Sequence, residues 1–424
     1  MKILLSMCCL AHRSGAELFV RDLALSLNTM GHSVVVFAPV MGEMVEELRL
    51  RCIACVTDLE NVTVAPDIII GSTQHETAIC LAQFAGVPAI SICHDRTAAH
   101  GQPPRFSRVR RHVAVDENCF ERLVFEHGIA ERDVMIIQNG VDLNRFRPRP
   151  PLPERPARAA IFSNYATRSR ETGAVARACT ELGIHLDVIG AGSGNQSREP
   201  GAVLADYDLV FAKARCAMEA LAVGCAVILL NEGMGMAGLV TPDNMVAWQR
   251  WNFGRRLLQK PIETGAVRDA IGAYSRTAAA AASEYLRSTA SLERTAAAFS
   301  SLAEAIIAAE AERPAVGAQQ EHREFARYVR DVMRPPGPDS VPVHVGYLLA
   351  ELEQERRLRA DVVEHEYSAR EALLAELERE RGANRALRAE LDCMNGWWAV
   401  AQRSVSWRVT APLRAAARLF RNQG

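Results

Sequence analysis

The residues near the amino terminus whose types suggest chemistry are Ser14 and Gly15, in the turn between an apolar run and an amphipathic helical pattern. A glycine lets the backbone approach a ligand closely, and the start of a helix presents free N–H groups and the positive end of its dipole. Both features suit an anionic ligand such as a phosphate. Any strand can also meet a helix through such a turn, so this pattern alone leaves both interpretations open.

A second candidate pair, His94 and Asp95, ends another apolar run in the sequence ISICHD. The carboxyl ends of parallel strands lie at the crevice where open α/β sheets bind ligands. A histidine there titrates near neutral pH, and an adjacent aspartate can orient it. The location favours a catalytic position for both residues over the alternative of a structural histidine.

Apolar runs alternate with helical patterns over residues 1–146, which predicts an amino-terminal Rossmann-like domain with a parallel sheet. Its strands are expected at residues 2–7, 33–38, 68–70, 89–93, 112–115 and 134–138. Five prolines in residues 147–158 predict a hinge. A second alternating block predicts another Rossmann-like domain over residues 159–312. The predicted fold class is α/β, with two such domains facing a cleft.

The sequence changes character after residue 312. Residues 313–346 are predicted to be a linker, and residues 347–394 a coiled coil or a long solvated helix, since 8 of 14 heptad core positions are apolar. A coiled coil would make the chain a homodimer. Residues 395–424 hold three tryptophans, five arginines and no acid. This basic aromatic tail suits an anionic membrane surface, or alternatively a protein surface.

The amino-acid composition excludes several classes of function. The net charge of -1 provides no global field that would recruit nucleic acid. Eleven scattered cysteines without zinc-ligand spacing fit a reducing compartment and predict no metal site. No apolar run approaches the roughly 18 residues that span a membrane. We therefore expect a cytoplasmic protein, peripheral on the inner membrane, that needs no cofactor or metal.

Three segments make a more specific pattern: HRSGAELFVRDLALSLNTMGHSVVVFAP, ISICHD, and a segment that closes with the motif I-x-N-G-V-D-x-x-x-F-x-P at residues 137–148. They resemble family-four retaining glycosyltransferases, which have the GT-B fold. The resemblance is strongest before the hinge and looser up to about residue 310. It implies that a nucleotide-sugar donor binds mainly to the second domain and an acceptor to the first. It also implies that His94 contacts the transferred sugar.

The segment ADYDLVFAKARCAMEALAVGCAVILLNEG resembles the donor-binding part of the same family. The resemblance implies that Glu219 binds the donor ribose. Lys213 and Arg215, two cations at the start of its helix, are candidates to clamp the diphosphate. Arg168 is a further phosphate candidate, although the family's G-R...K-G pattern is absent. The family usually has another glutamate eight residues before Glu219, where this chain has Phe211, and this departure puts catalytic activity in question.

We predict a nucleotide-sugar-dependent glycosyltransferase that acts on a bacterial surface glycan or glycolipid. Retention without a dedicated protein nucleophile is implied by the resemblance. The tail sequence SVSWRVTAPLR resembles tails of bacterial envelope-glycan transferases, which supports the acceptor class. Two alternatives stay open: a non-catalytic GT-B-like scaffold in envelope glycan assembly, and a sugar-nucleotide isomerase of the same fold.

Overall fold

The computed structural model describes residues 1–166, 169–314, 316–333, 374, 376–396, 399–400, 403 and 410. The chain divides into two compact units, Met1–Arg334 and Pro335–Gly424. In the second unit, residues 376–396 are helical and exposed. Most of the predicted coiled coil and nearly all of the predicted tail lie outside the described residues, so both stay predictions. None of the described helices is both long and apolar enough to cross a membrane.

The first unit begins with a parallel sheet in the strand order β5-β3-β1-β6-β7-β8-β9. Most residues of its central strands are apolar because helices cover both faces. The predicted strands are confirmed within two or three residues. The elements are β1 Lys2–Ser6, β2 Cys9–Leu10, α1 Gly15–Thr29, β3 Ser33–Phe37, β4 Val40–Met41, α2 Met44–Arg49, β5 Ala54–Val56, β6 Ile68–Gly71, α3 Gln74–Gln83, β7 Ala89–Cys93, β8 Val109–Ala114, α4 Glu117–Glu121 and β9 Val134–Ile136.

A second sheet follows in the order β11-β10-β12-β13-β14, parallel except for β14, which pairs antiparallel with β13. The predicted α/β class with two such sheets is confirmed. Its elements are β10 Arg158–Phe162, α5 Arg170–Glu181, β11 His185–Ile189, α6 Pro200–Leu204, β12 Leu209–Ala212, α7 Ala214–Val223, β13 Ala226–Asn231, β14 Gly235–Leu239, α8 Pro242–Gln249, α9 Thr264–Gly272 and α10 Arg276–Thr289.

Helix α11, Leu292–Ala311, corrects the predicted extent of the second domain. The prediction assigned residues up to 312 to that domain, but α11 returns to the first sheet. Its apolar side chains, including Phe299, lie in the same core cluster as α1 and β1. Phe299 meets Phe19 edge to face at 5.9 Å between ring centroids. The helix crosses back because its apolar face completes the first core, which periodicity alone could not assign to either sheet.

Helix α12, Ala318–Met333, replaces part of the predicted linker at residues 313–346. Phe325 and Tyr328 pack against Phe106 of the first domain, with ring centroids 6.4 and 5.7 Å away. Tyr328 also hydrogen-bonds His75 at 2.6 Å between Oη and Nδ1. The aromatic and aliphatic residues of this helix lie on one face, and these tertiary contacts stabilise it.

The buried His112 in β8 predicts a measurable loss of stability in acid. Burial lowers the pKa of His112 to about 4, whereas an unfolded histidine titrates near 6.5. The unfolded chain therefore takes up a proton first as the pH falls, and stability that is present above pH 6.5 is lost below it. Between pH 7 and 5 this residue should contribute about 2 kcal/mol to that loss.

The measurement compares urea unfolding of the wild type and His112→Leu at both pH values. The variant should lose about 2 kcal/mol less than the wild type over this interval, because leucine does not titrate. Equal pH dependence in the two proteins would show that His112 takes up its proton as readily in the folded chain as in the unfolded one.

Candidate active site

A cavity of about 460 Å³ lies between the two sheets, at the turn that precedes α1. Both domains line it, which is the arrangement expected for a ligand bound between them. Its lining residues are Ala11, His12, Arg13, Ser14, Glu43, Met44, Asn164, Tyr165, Ala191 and Gln196. The Asn164 side-chain amide donates to the Arg13 carbonyl at 3.1 Å and so joins the two domains at the cavity wall.

The predicted phosphate turn is a capping box at the start of α1. The Ser14 hydroxyl accepts from the Glu17 amide at 3.4 Å. The Glu17 carboxylate accepts from the amides of Ser14 and His12, at 3.0 and 3.1 Å. Ser14 therefore has a structural partner. No atom lies within 4 Å of where a Gly15 side chain would begin, so the backbone here borders open space.

His94 follows β7 and packs edge to face on Phe19, 5.0 Å between ring centroids. Burial lowers the pKa of His94 to about 4, so the imidazole is neutral at physiological pH. Its Nε2 atom is buried and has no hydrogen-bond partner among the described residues. A polar atom in this position can serve a substrate hydroxyl. The catalytic role of His94 stays a prediction.

The Asp95 carboxylate caps the turn that follows it. Its Oδ1 atom accepts from the Thr97 amide and hydroxyl at 2.6 and 2.8 Å, and from the Ala98 amide at 2.8 Å. Burial raises the pKa of Asp95, but these hydrogen bonds and the charge of Arg255 outweigh burial and lower it overall. The carboxylate is therefore ionised and faces a cation of the second domain.

Lys213 faces the same place from the second domain, at the residue before α7. Burial and the neighbouring charge of Arg255 lower the pKa of Lys213, while Asp95 opposes them. The Lys213 ammonium also lies 5.8 Å from the centre of the Tyr165 ring, at the cavity. Arg255 is exposed, and its guanidinium makes no hydrogen bond to any residue that the structure describes. The two cations thus lie near enough to Asp95 for their charges to interact, although no ion pair within 4 Å joins them among the described residues.

The backbone beneath Lys213 is strained. Ala214, Asn252 and Phe253 have φ angles of 48°, 53° and 49°, in the left-handed region that favours glycine. Such residues cost about 1–3 kcal/mol each and cluster at functional sites. The Ala214 amide donates to the Phe253 carbonyl at 2.8 Å. The strained turn thus sets where α7 begins and where Lys213 and Arg255 stand.

Arg215 and Glu219 lie deeper, one turn apart on α7. The Arg215 Nε atom donates to Glu219 Oε1 at 2.8 Å, and its Nη2 atom donates to Oδ2 of Asp22 on α1. Burial raises the pKa of Glu219, although Arg215 opposes it. Arg215 is thus engaged by two carboxylates, and in this arrangement it is not free for the predicted diphosphate contact.

Two other sequence predictions fall elsewhere. Arg168 lies outside the described residues. Phe211, at the position of the family's additional glutamate, is fully buried in β12. Within the described residues no group of three or more His, Cys, Asp or Glu side chains could hold a metal ion. The expectation that the protein needs no metal or cofactor stays a prediction.

Sequence reasoning missed Asp22, Arg255 and Tyr165. A signal existed only for Asp22, because a carboxylate on the buried face of the α1 pattern needs a charged partner. Arg255 begins a short 3-10 helix after α8, in a segment without a motif. Tyr165 follows β10, in the segment where the family's G-R...K-G pattern is absent.

Comparisons with known proteins agree with this fold. Residues 13–145 match the family model described as Glycosyltransferase Family 4. No curated protein sequence is significantly similar to the chain.

Solved structures resemble the chain through the second domain as well. A glycosyltransferase from Rickettsia africae aligns with a TM-score of 0.53 and 13% identity, over 72% of this chain and 98% of its own. Alr3699/HepE of Anabaena, in complex with UDP-glucose, aligns with a TM-score of 0.52 and 15% identity, over 72% of this chain and 100% of its own. At such identities these matches establish the fold alone. The chain therefore has the GT-B fold of glycosyltransferases, and its residues 13–145 match Glycosyltransferase Family 4.

Proposed function

We propose that the protein is a glycosyltransferase that moves a sugar from a nucleotide-sugar donor to a bacterial surface glycan or glycolipid. The observation that carries this proposal is the cavity of about 460 Å³ that both domains line. Tyr165 of its lining lies 5.8 Å from the Lys213 ammonium, whose pKa the charges of Arg255 and Asp95 affect. The HepE structures support the donor class, because that protein of the same fold holds UDP and UDP-glucose.

The chemistry needs positive charge where the nucleoside diphosphate leaves. Lys213 and Arg255 supply it beside the first turn of α7, whose free N–H groups add to the field. Arg168 is a further candidate from the sequence. Glu219 would accept hydrogen bonds from the ribose hydroxyls.

His94 would contact the transferred sugar, and Asp95 would orient His94. In the retaining reaction that we propose, the bond from the anomeric carbon to the phosphate oxygen breaks. The acceptor oxygen bonds to that carbon on the same face, and the acceptor proton passes to the leaving phosphate. The neutral His94 Nε2 would hold a sugar hydroxyl without taking the proton, and no metal or cofactor is part of the proposal.

The test is a thermal-shift and calorimetry screen against UDP-, GDP-, CDP- and dTDP-sugars. A ligand that binds only the folded chain raises its melting temperature by mass action. We expect one nucleotide class to bind, and Lys213→Met to weaken it roughly 10- to 100-fold, the effect of a charge-assisted hydrogen bond. Lys260→Met is the matched control, since Lys260 is exposed and outside the cavity.

Two results would count against the transferase. Absence of binding by every nucleotide would favour the scaffold alternative. The buried Phe211, which stands where the family has a glutamate, also supports that alternative. Turnover of a bound nucleotide sugar without any acceptor, to an isomeric product, would favour the isomerase.

The partners of the second unit belong to the same proposal. We propose that residues 347–394 pair two copies of the chain and that residues 395–424 bind the anionic inner membrane. Leu377, Leu387, Leu391 and Met394, all predicted core positions of the heptad, are exposed on the described helix. This apolar series is available to a second copy.

Deleting residues 335–424 should therefore give a monomer that keeps donor binding and no longer floats with vesicles of 30% phosphatidylserine. The measurements are sedimentation velocity and vesicle flotation. An unchanged oligomeric state would refute the pairing, and unchanged flotation would refute the tail as the membrane contact.

A further inference from the structure

A line of alternating charges runs from the cavity wall across the cleft into the second domain. It contains, in spatial order, Arg13, Glu47, Arg21, Asp22, Arg215 and Glu219. The first four belong to the first domain and the last two to α7. Its central members are almost fully buried. Every charge in the line has a neighbour of opposite sign.

Asp22 stands at the domain boundary and uses its two oxygens differently. Its Oδ1 atom accepts from Nε of Arg21 at 2.8 Å, within the first domain. Its Oδ2 atom accepts from Nη2 of Arg215, across the cleft. Burial raises the pKa of Asp22, but Arg215 and Arg21 together outweigh burial and lower it overall. The carboxylate is therefore ionised and holds one arginine from each domain.

Arg215 also has one partner in each domain. Its Nε atom donates to Glu219 within α7, while its Nη2 atom donates to Asp22. Within this line of charges, opening of the cleft to admit a large ligand breaks only the bond between Arg215 and Asp22. Each residue then keeps its partner in its own domain, so neither charge is left unpaired. Such a contact can form and break without the large cost of an isolated buried charge.

The closed contact also fixes Glu219. Arg215 is held at one end by Asp22, and at the other end it orients the Glu219 carboxylate through Oε1. A positioned carboxylate binds a ligand hydroxyl more strongly than a mobile one, because less freedom is lost on binding. When the bond between Asp22 and Arg215 breaks, Arg215 and Glu219 are bonded only to each other.

We propose that Asp22 is a positioning residue for donor binding: it holds Arg215 in the closed cleft and so aligns Glu219 with the donor ribose. This inference rests on the proposed function, which supplies the ribose. No family pattern in the sequence pointed to Asp22, which acts from the opposite domain. Its effect should therefore appear in the recognition of the ribose hydroxyls.

The experiment compares UDP with 2′,3′-dideoxy-UDP, or the same pair with the base that the nucleotide screen selects, by calorimetry. The wild type should prefer the ribonucleotide about tenfold, the value of one or two hydrogen bonds to a carboxylate. Asp22→Asn should lose most of that preference. It should still fold, because Arg21 keeps Glu47 and Arg215 keeps Glu219.

The matched control is Glu310→Gln. It also removes a carboxylate from a mostly buried arginine, since Arg110 Nε donates to Glu310 at 2.7 Å, but this pair lies outside the cavity. The control should keep the full ribose preference. A full preference in Asp22→Asn, together with its loss in Glu219→Gln, would overturn the inference while leaving the proposed function intact.

A second readout needs no ligand. Amide hydrogen exchange of α7, residues 214–223, should be faster in Asp22→Asn than in the wild type and unchanged in Glu310→Gln, because α7 loses its tether to the first domain and opens locally more often. Failure of the wild type to bind any nucleotide would defeat the proposed function and, with it, the ribose role. Unchanged exchange in Asp22→Asn would overturn the domain contact by itself.

Discussion

Arg215→Met is expected to destabilise the first unit by about 3–5 kcal/mol, the cost of removing one partner from a buried ion pair. The substitution leaves the Glu219 carboxylate buried without its cation and removes the interdomain partner of Asp22. Urea unfolding at pH 7.5 measures the loss. Arg268→Met is the matched control: Arg268 pairs with Glu181 at the surface. Its loss should cost no more than about 1 kcal/mol.

The pH dependence distinguishes this mechanism from a simple packing defect. Burial already raises the pKa of Glu219, and without Arg215 burial and the charge of Asp22 raise it further above the unfolded value. The folded variant then binds more protons than the unfolded chain in mild acid, so the deficit relative to the wild type should shrink as the pH falls. A deficit that is the same at pH 7.5 and 5.5 would mean that lost packing, and not an unpaired carboxylate, causes it.

Gly140→Ala is the second substitution with a large expected effect. Two chain segments that cross between the domains, here called the crossings, contact each other at this residue. The Val141 amide donates to the Ala290 carbonyl, and the Leu292 amide donates to the Val141 carbonyl, both at 2.9 Å. A methyl group on residue 140 would stand 2.5 Å from the Ser291 carbonyl oxygen and 2.7 Å from the Leu292 nitrogen. These are backbone atoms, so they cannot move aside as a flexible side chain would.

We expect Gly140→Ala to cost about 3 kcal/mol or more, at the upper end of overpacking effects. Thermal unfolding measures it. Gly265→Ala in α9 is the control with the opposite expected sign: its methyl group would meet no atom within 4 Å, and alanine favours a helix over glycine by up to about 1 kcal/mol. Equal melting temperatures for Gly140→Ala and the wild type would show that the crossings separate easily.

The close approach at Gly140 also explains part of the motif at residues 137–148. Asp142 accepts from the amides of Asn144 and Arg145 at 3.0 and 3.1 Å, which forms the turn into the hinge. Phe146 is fully buried beyond it. The motif therefore builds the joint between the domains, whereas the residues proposed for chemistry lie at the sheet edges.

Much of the fold could be predicted from the chain alone, because strands and amphipathic helices depend on local patterns of apolar residues. Ser14, His94 and Lys213 were placed for the same reason: each follows a strand, and the ends of parallel strands meet at one edge. The resemblance to a family then implied the GT-B arrangement.

Other features depended on the tertiary structure, because they join residues far apart in sequence. Helix α11 returned to the first core, and α12 docked on Phe106, since each had an apolar face that local patterns could not assign to a partner. The contact between Asp22 and Arg215 spans 193 positions. The sequence by itself thus determined the two α/β domains and the sheet edges at which we propose that ligands bind. Only tertiary packing decided which charges are buried together and which, like Lys213 and Arg255, face the cleft. The physical reason is that a buried charge must be paired, whereas a charge in contact with water need not be.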